Sequence, residues 1–389
     1  MDSIECFSVG AVSGCASAFS PKKADAAPSN SPDGRIVAFD LMEVCAIFMA
    51  CSLHYPLFAK GSLIAELWQL LCMGAVPAFF MINGYLLFSK PLDLCKHIRK
   101  IANVALGIFL WKLLILLLFS FLGLFDTGLI NPASLAQYFL TAATLGNLPA
   151  APIWFMYALL SIYIVFPIFK IVYDAGHKTI LLIIVALGIL FIPAATDLDW
   201  LFYAVGKLSA GALTIDLRIA PELADFFPFG PWGMYLVFFL LGPLIWPSIV
   251  KASERFGRLR LGLFSIALLS CFIMIALLQD YVYQGSFTWT GNVIPNQYKH
   301  IVTLGITVSL LALSASIALP RCLLQTVTLI SCNTITVFYV HAPILLLLAH
   351  FSSWPQGFAA SCVRTLVVVL FGAALGFALK KIPFIRRIA

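Results

Sequence analysis

Asp40-Leu-Met-Glu43-Val-Cys-Ala-Ile-Phe-Met-Ala-Cys-Ser-Leu-His54-Tyr-Pro56 belongs to an apolar run, Ile36–Phe58, that is long enough to cross a membrane and still carries ionisable side chains. An ionisable group inside a span is costly, which marks it as a functional position. Glu43 and His54 are eleven residues apart. At ~100° per residue they return to nearly the same helix face, ~16 Å apart along the axis, so they can line one polar track.

Working outward, nine further runs follow: Leu67–Phe88, Ile101–Phe125, Pro152–Tyr173, Thr179–Thr196, Gly230–Ile249, Leu261–Leu278, Ile301–Leu319, Leu324–His350 and Phe358–Leu379. The fifth of the ten, Thr179–Thr196, is among the shortest. The chain is 62% hydrophobic and 11% charged, with a mean hydropathy of +1.01. Soluble domains are roughly 45–50% apolar and 25% charged. The expected fold is therefore all-α, a polytopic membrane protein of about ten transmembrane helices in one membrane domain, with no large soluble domain.

Lys and Arg fix the orientation. Lys90/Lys96/Arg99/Lys100, Lys170/Lys178, Lys251/Arg255/Arg258/Arg260, Arg321 and Lys380/Lys381/Arg386/Arg387 fall on alternate connections, which predicts that both termini are cytoplasmic. The opposite connections, Asp126–Ala151, Asp197–Phe229, Asp280–His300 and Phe351–Gly357, carry Trp200, Trp289 and Trp354, and Trp232 lies just past the second of them, all residues suited to the interface. Residues 1–34, rich in Ser, Ala, Pro and Gly and without a signal-like apolar core, are expected to be a disordered cytoplasmic tail. The net charge of +7 sits in clusters beside the spans, as topology requires, so no nucleic-acid partner is expected. The 10 Cys lie mostly in apolar runs without ligand spacing. Cys45, Cys51, Cys72, Cys271, Cys332 and Cys362 read as small buried hydrophobes, with no metal site and no disulfide framework.

Several segments, in order, resemble the membrane-bound acyltransferase-3 family. Arg35-Ile-Val-Ala-Phe-Asp40 is similar to its opening, and His54 falls at its first-helix histidine. Val76-Pro-Ala-Phe-Phe-Met-Ile-Asn83-Gly84-Tyr-Leu-Leu resembles "VPLFFxxSGYLL", with Asn83 in place of the usual Ser. Ile153-Trp154-Phe-Met-Tyr157, with Tyr163 and Pro167, resembles the fourth-span signature; Phe338-Tyr339-Val-His341 resembles the "YxxH" segment. The match covers nearly everything after residue 34, so residues 35–389 read as one acyltransferase-3-like transmembrane domain, nearest in spacing to the enterobacterial-common-antigen acetyltransferases. One departure bears on the chemistry: Glu43 stands where the family carries an arginine.

The resemblance implies an O-acyltransferase, expected to be an O-acetyltransferase, of the bacterial inner membrane. It would move an acyl group from cytoplasmic acetyl-CoA or another acyl-CoA, used as donor substrate with no permanently bound cofactor, to a hydroxyl of an envelope glycan or lipid-linked sugar. Such a hydroxyl must lose its proton, and His is the side chain whose ordinary pKa suits that near neutrality. His54 is the candidate base or acyl carrier, with His341 beside it in expectation; the competing reading of each is helix packing. Glu43 either orients His54 through an intervening group or pairs with Lys112, and the pairing is the favoured expectation. Arg35, Lys96, Arg99 and Lys100 are the expected donor-phosphate contacts, the last three also being explained by topology alone. Trp154 and Tyr157 are expected to stack on the acceptor sugar, or else to anchor the interface. Asn83, grouped with them as a substrate contact, reads first as packing beside Gly84. Two other classes fit the same composition: a transporter or flippase for a small or lipid-linked solute, and a catalytically silent relative.

Overall fold

The computed structural model describes residues 35–54, 57–58, 61–125, 128, 130–145, 148, 153–209, 219–285, 297–351 and 357–382. The tail 1–34, Pro152, Trp289, Trp354, Arg386 and Arg387 lie outside the described residues. The helices run α1 Val37–His54, α2 Leu63–Cys72, α3 Ala75–Phe88, α4 Leu94–Phe121, α5 Pro132–Leu140, α6 Trp154–Asp174, α7 Lys178–Ile189, α8 Ala195–Leu208, α9 Ile219–Asp225, α10 Gly233–Phe256, α11 Arg258–Gln284, α12 Ile301–Ser316, α13 Arg321–Ser331, α14 Thr334–Phe351 and α15 Phe358–Leu379. Among the described residues nine stretches are long and apolar enough to cross a membrane, and α12 is a shorter apolar helix of 16 residues. The chain is an all-α, multi-pass membrane protein.

Local chemistry sets the boundaries. Ser62 caps α2 by accepting from the Ala65 amide at 3.2 Å, and Asp93 caps α4 by accepting from the Lys96 amide at 3.0 Å. Asn131 and Ser134 form a reciprocal capping box at α5.

Three expected spans come out differently. The second begins earlier, at Leu63, and turns at Met73-Gly74 between α2 and α3. The fifth is not short: α7 continues through a π turn, Leu190–Ala194, into α8. Pro193 lies in that turn, where the widened ladder accommodates a residue with no amide hydrogen. The expected ninth span, Leu324–His350, is two helices, α13 and α14. Asn333 sits at the break and donates its side-chain amide to the Leu329 carbonyl at 2.7 Å, the local competition by which Asn ends helices.

Packing separates an inner layer from an outer one. The α2–α3 span is 72% buried and α10 67%, whereas α11 is 28% buried, which makes α3 and α10 the spine and α11 a lipid-facing helix. Large apolar side chains such as Leu117, Ile168 and Phe264 face outward, as a bilayer solvent permits. The same reason corrects the cysteine expectation: Cys51 and Cys72 are buried, but Cys45, Cys271 and Cys332 are exposed on the surface. At the spine, a Cβ on Gly84 would lie 1.9 Å from the Phe239 carbonyl oxygen, and one on Gly242 would lie 2.0 Å from the Met81 carbonyl oxygen. The two glycines thus make a reciprocal backbone-to-backbone crossing of α3 and α10, the close approach that small residues allow in membranes.

The face at which α1 starts, where Lys and Arg cluster, is the basic face; α1 ends toward the far face.

Candidate functional site

Two histidines remote in sequence meet. His54 is the last residue of α1 and is exposed, while His341 lies seven residues into α14 and is fully buried. Their ring centroids are 5.2 Å apart at an interplanar angle of 45°. His341 Nδ1 lies 3.1 Å from the Val337 carbonyl oxygen. A carbonyl only accepts, so Nδ1 is the donor and the neutral ring presents Nε2 as a free lone pair. Among the described residues Nε2 has no hydrogen-bond partner.

Aromatic rings continue the site. Phe338 meets His341 edge-on at 5.8 Å and stacks on Phe155 at 4.6 Å, and Tyr339 stacks on Trp111 at 5.4 Å. Phe155 follows Trp154 at the start of α6. Trp154 and Tyr157 line a cavity of about 290 Å³ with Ser161, Phe229, Trp232 and Tyr235. Phe229 holds a left-handed backbone, φ 69°, a costly conformation for an aromatic residue and one that turns the chain into this wall. Neither histidine lines that cavity; the rings of Phe338, Phe155 and Trp154 lead from His341 to its wall.

The basic end is built differently. Arg35 is ion-paired with Asp40, its Nε 3.0 Å from Oδ2, and its Nη2 donates to Ser331 Oγ at 3.1 Å. Ser331 Oγ lies 2.8 Å from Asp40 Oδ1 and 2.6 Å from Glu43 Oε2, and Thr328 donates to Asp40 at 3.3 Å. The hydrogen bond with Asp40 and its negative charge push the Arg35 pKa above its ordinary value. Lys96 pairs with Asp93 at 3.0 Å on an exposed surface, Arg99 is exposed, and the Lys100 ammonium sits 4.5 Å from the Tyr163 ring centre. Asn83 donates to the Phe79 carbonyl at 2.9 Å and accepts from the Tyr163 hydroxyl at 3.1 Å. Both ends of its amide serve the bundle, away from Trp154 and Tyr157.

The family model described as an acyltransferase domain, of the acyltransferase-3 type, matches residues 36–380. The chain belongs to this acyltransferase family. No curated protein and no solved structure matches it. Membership carries membrane acyltransferase activity in general.

In this acyltransferase the expected Glu43–Lys112 pair does not form. The Lys112 ammonium donates to the carbonyls of Tyr138, Thr141 (2.7 Å) and Ala143 (3.4 Å), and it lies over the Tyr138 ring at 4.5 Å. It closes the C-terminal end of α5. The reason is depth. Lys112 stands eighteen residues into α4 and Glu43 six residues into α1, and both helices start at the basic face; at ~1.5 Å per residue they differ by roughly 18 Å along the membrane normal. Glu43 and His54 are likewise separate: one meets Ser331, the other His341.

Sequence reading of the acyltransferase missed Asp40, Thr328 and Ser331 at the basic end, and Phe229 and Tyr235 in the far wall. Tyr235 was within reach, since it follows the interfacial Trp232 at helical i+3 spacing. Ser331 offers no such signal, because it reaches Asp40 only through the break before α14.

Proposed function

We propose that this acyltransferase transfers an acyl group, acetyl in the first instance, from cytoplasmic acyl-CoA to a hydroxyl of a cell-envelope glycan, in a bacterial inner membrane. The observation that carries the reading is the contact of His54 with His341, whose Nε2 is a lone pair without a partner among the described residues; Phe338 and Phe155 link that pair to Trp154 in the wall of the aromatic cavity.

His54, exposed at the far end of α1, takes the proton of the acceptor hydroxyl while that oxygen attacks the thioester carbonyl. The C–O bond forms, the C–S bond breaks, and the proton on the imidazolium passes to the leaving thiolate, giving ester and free thiol. His341, held in one tautomer by Val337, positions His54 and stabilises its protonated form. In a two-step version a His54 ring nitrogen attacks the thioester carbonyl and the thiolate leaves; the acceptor oxygen then takes the acyl group, its proton passing to the thiolate and the C–N bond breaking to free the imidazole. Trp154 and Tyr157, with Trp232 and Tyr235, offer flat faces for a sugar or lipid-linked sugar. Arg35, Lys96, Arg99 and Lys100 meet the donor at the basic face, and Arg35 does so while ion-paired to Asp40.

Glycans from cells with and without the chain, compared by mass spectrometry, test the reading. Loss of an acyl mass with the chain, and its return with wild type but not with His54→Ala, is the expected result. Unchanged glycans together with no acyl-CoA consumption by the purified protein would overturn it.

A further inference from the structure

The basic-face ends of α1, α10, α11, α12 and α13 enclose a second cavity, of about 400 Å³. Its exposed rim carries Arg258, Arg321, Glu254 and Ile317, and Trp246 and Val250 lie deeper. None of Lys96, Arg99 and Lys100 lines it.

Three independent features converge there. Arg258 and Arg321 are exposed and, among the described residues, neither is in an ion pair, unlike Arg35, Lys96 and Lys170. Each also opens a helix. Neither Gly257 before α11 nor Pro320 before α13 provides a side-chain cap, so two sets of first-turn amides, with the positive ends of two helix dipoles, stand at the rim. Third, Trp246 is 3% exposed, and its indole N–H has no hydrogen-bond partner among the described residues. A buried donor left open on an apolar floor suits a ligand carrying an acceptor at that depth.

Topology alone places arginines on this face. It does not gather two of them, two uncapped helix ends and an open indole donor around one cavity. Glu254 offsets one of the two guanidinium charges, which leaves the rim net positive and suited to a phosphate group.

We propose that this cavity binds an organic phosphate with an apolar, carbonyl-bearing arm. The phosphate meets Arg258, Arg321 and the first-turn amides, and the arm runs along Val250 and Ile317 with a carbonyl accepting from Trp246. That chemistry has two sources: an anionic phospholipid of the surrounding leaflet, whose arm carries ester carbonyls, or acyl-CoA, whose arm carries amides. The second source rests on the function proposed above.

The experiment reads binding and not transfer, so its failure is distinct from failure of that function. The full chain is placed in phosphatidylcholine nanodiscs. Retention of added phosphatidylglycerol is followed by native mass spectrometry, and coenzyme A binding by equilibrium dialysis. The double variant Arg258→Gln/Arg321→Gln is expected to lose about ten-fold or more in one of these affinities at an unchanged melting temperature. Loss for phosphatidylglycerol assigns the leaflet source, and loss for coenzyme A assigns the donor. If the double variant does not fold, Trp246→Phe, which keeps both arginines and removes only the indole N–H, is expected to weaken the same probe about three-fold or more. Wild-type affinity for both probes in a folded variant, or no binding of either probe to wild type, overturns the proposal.

Discussion

The basic end of α1 and its far end hold comparable polar content and treat it in opposite ways. At the basic end Arg35, Asp40, Thr328, Ser331 and Glu43 satisfy one another, and Asp40 is 3% exposed within that network. At the far end His341 is fully buried with one ring nitrogen bonded and the other without a partner among the described residues, its ring 5.2 Å from that of His54. Charges in a membrane protein are therefore a poor guide to chemistry once a partner is in hand. Capacity left unspent is the better guide, because a buried polar atom without a partner is costly and persists only where something else uses it.

If that contrast holds, substitutions at the far end should cost activity and those at the basic end stability. The largest effect is expected for His54→Ala, lowering acyl-transfer kcat by roughly a hundred- to ten-thousand-fold, the range for a general base, with melting temperature in detergent little changed; His341→Gln, which fills much of the fully buried site, should lower kcat by less. Retained transfer in His54→Ala would return that ring to a packing role. Asp40→Ala should instead destabilise the fold by about 2–3 kcal/mol in equilibrium unfolding. That is less than the loss for a fully buried pair, because the Arg35 side chain keeps 35% exposure.

Gly242→Ala forces a Cβ against the Met81 carbonyl and should cost about 1–3 kcal/mol; Gly84→Ala should cost a similar amount, and the double change less than the sum, since both open the same crossing. Wild-type melting temperatures in both single variants would mean that α3 and α10 slide apart without penalty.

The smallest effects separate the remaining roles. Ser331 has one hydroxyl hydrogen and lies within hydrogen-bond distance of both Asp40 and Glu43, so one carboxyl brings a hydrogen of its own. Glu43→Gln supplies one and should change stability by less than about 1 kcal/mol, whereas Glu43→Arg sets a second guanidinium beside Arg35 and should be worse by thermal melting. Trp154→Ala should raise the KM for a glycan acceptor about three- to ten-fold at near-constant kcat; a fall in kcat alone would put this ring in the chemistry and not in acceptor binding.

Much of the fold was legible because hydropathy and the 3.6-residue period act locally. The all-α bundle and the family could be read from residue order, and so could the close approach at Gly84. What escaped were events set by a neighbour. The break at Asn333 depends on a side chain competing for the Leu329 carbonyl, and the length of the α7–α8 stretch depends on a π turn absorbing Pro193. At the site, His54 and His341 were each legible as an ionisable group in a span, but their meeting is tertiary. The Glu43–Lys112 expectation failed on arithmetic available in the sequence: two helices starting at the same face place residues six and eighteen positions in at different depths.

The lysine that closes α5 also bears on how the chain is made. The carbonyls that receive the Lys112 ammonium lie 26 to 31 residues later in the chain, beyond the end of α4. During synthesis that charge reaches the bilayer before its acceptors exist. A solitary ammonium in lipid is unfavourable by several kcal/mol. The apolar run of α4 is long enough to offset that cost, so the helix can enter with its lysine reaching toward the water of the far side, and the ammonium exchanges that water for the three carbonyls when α5 docks.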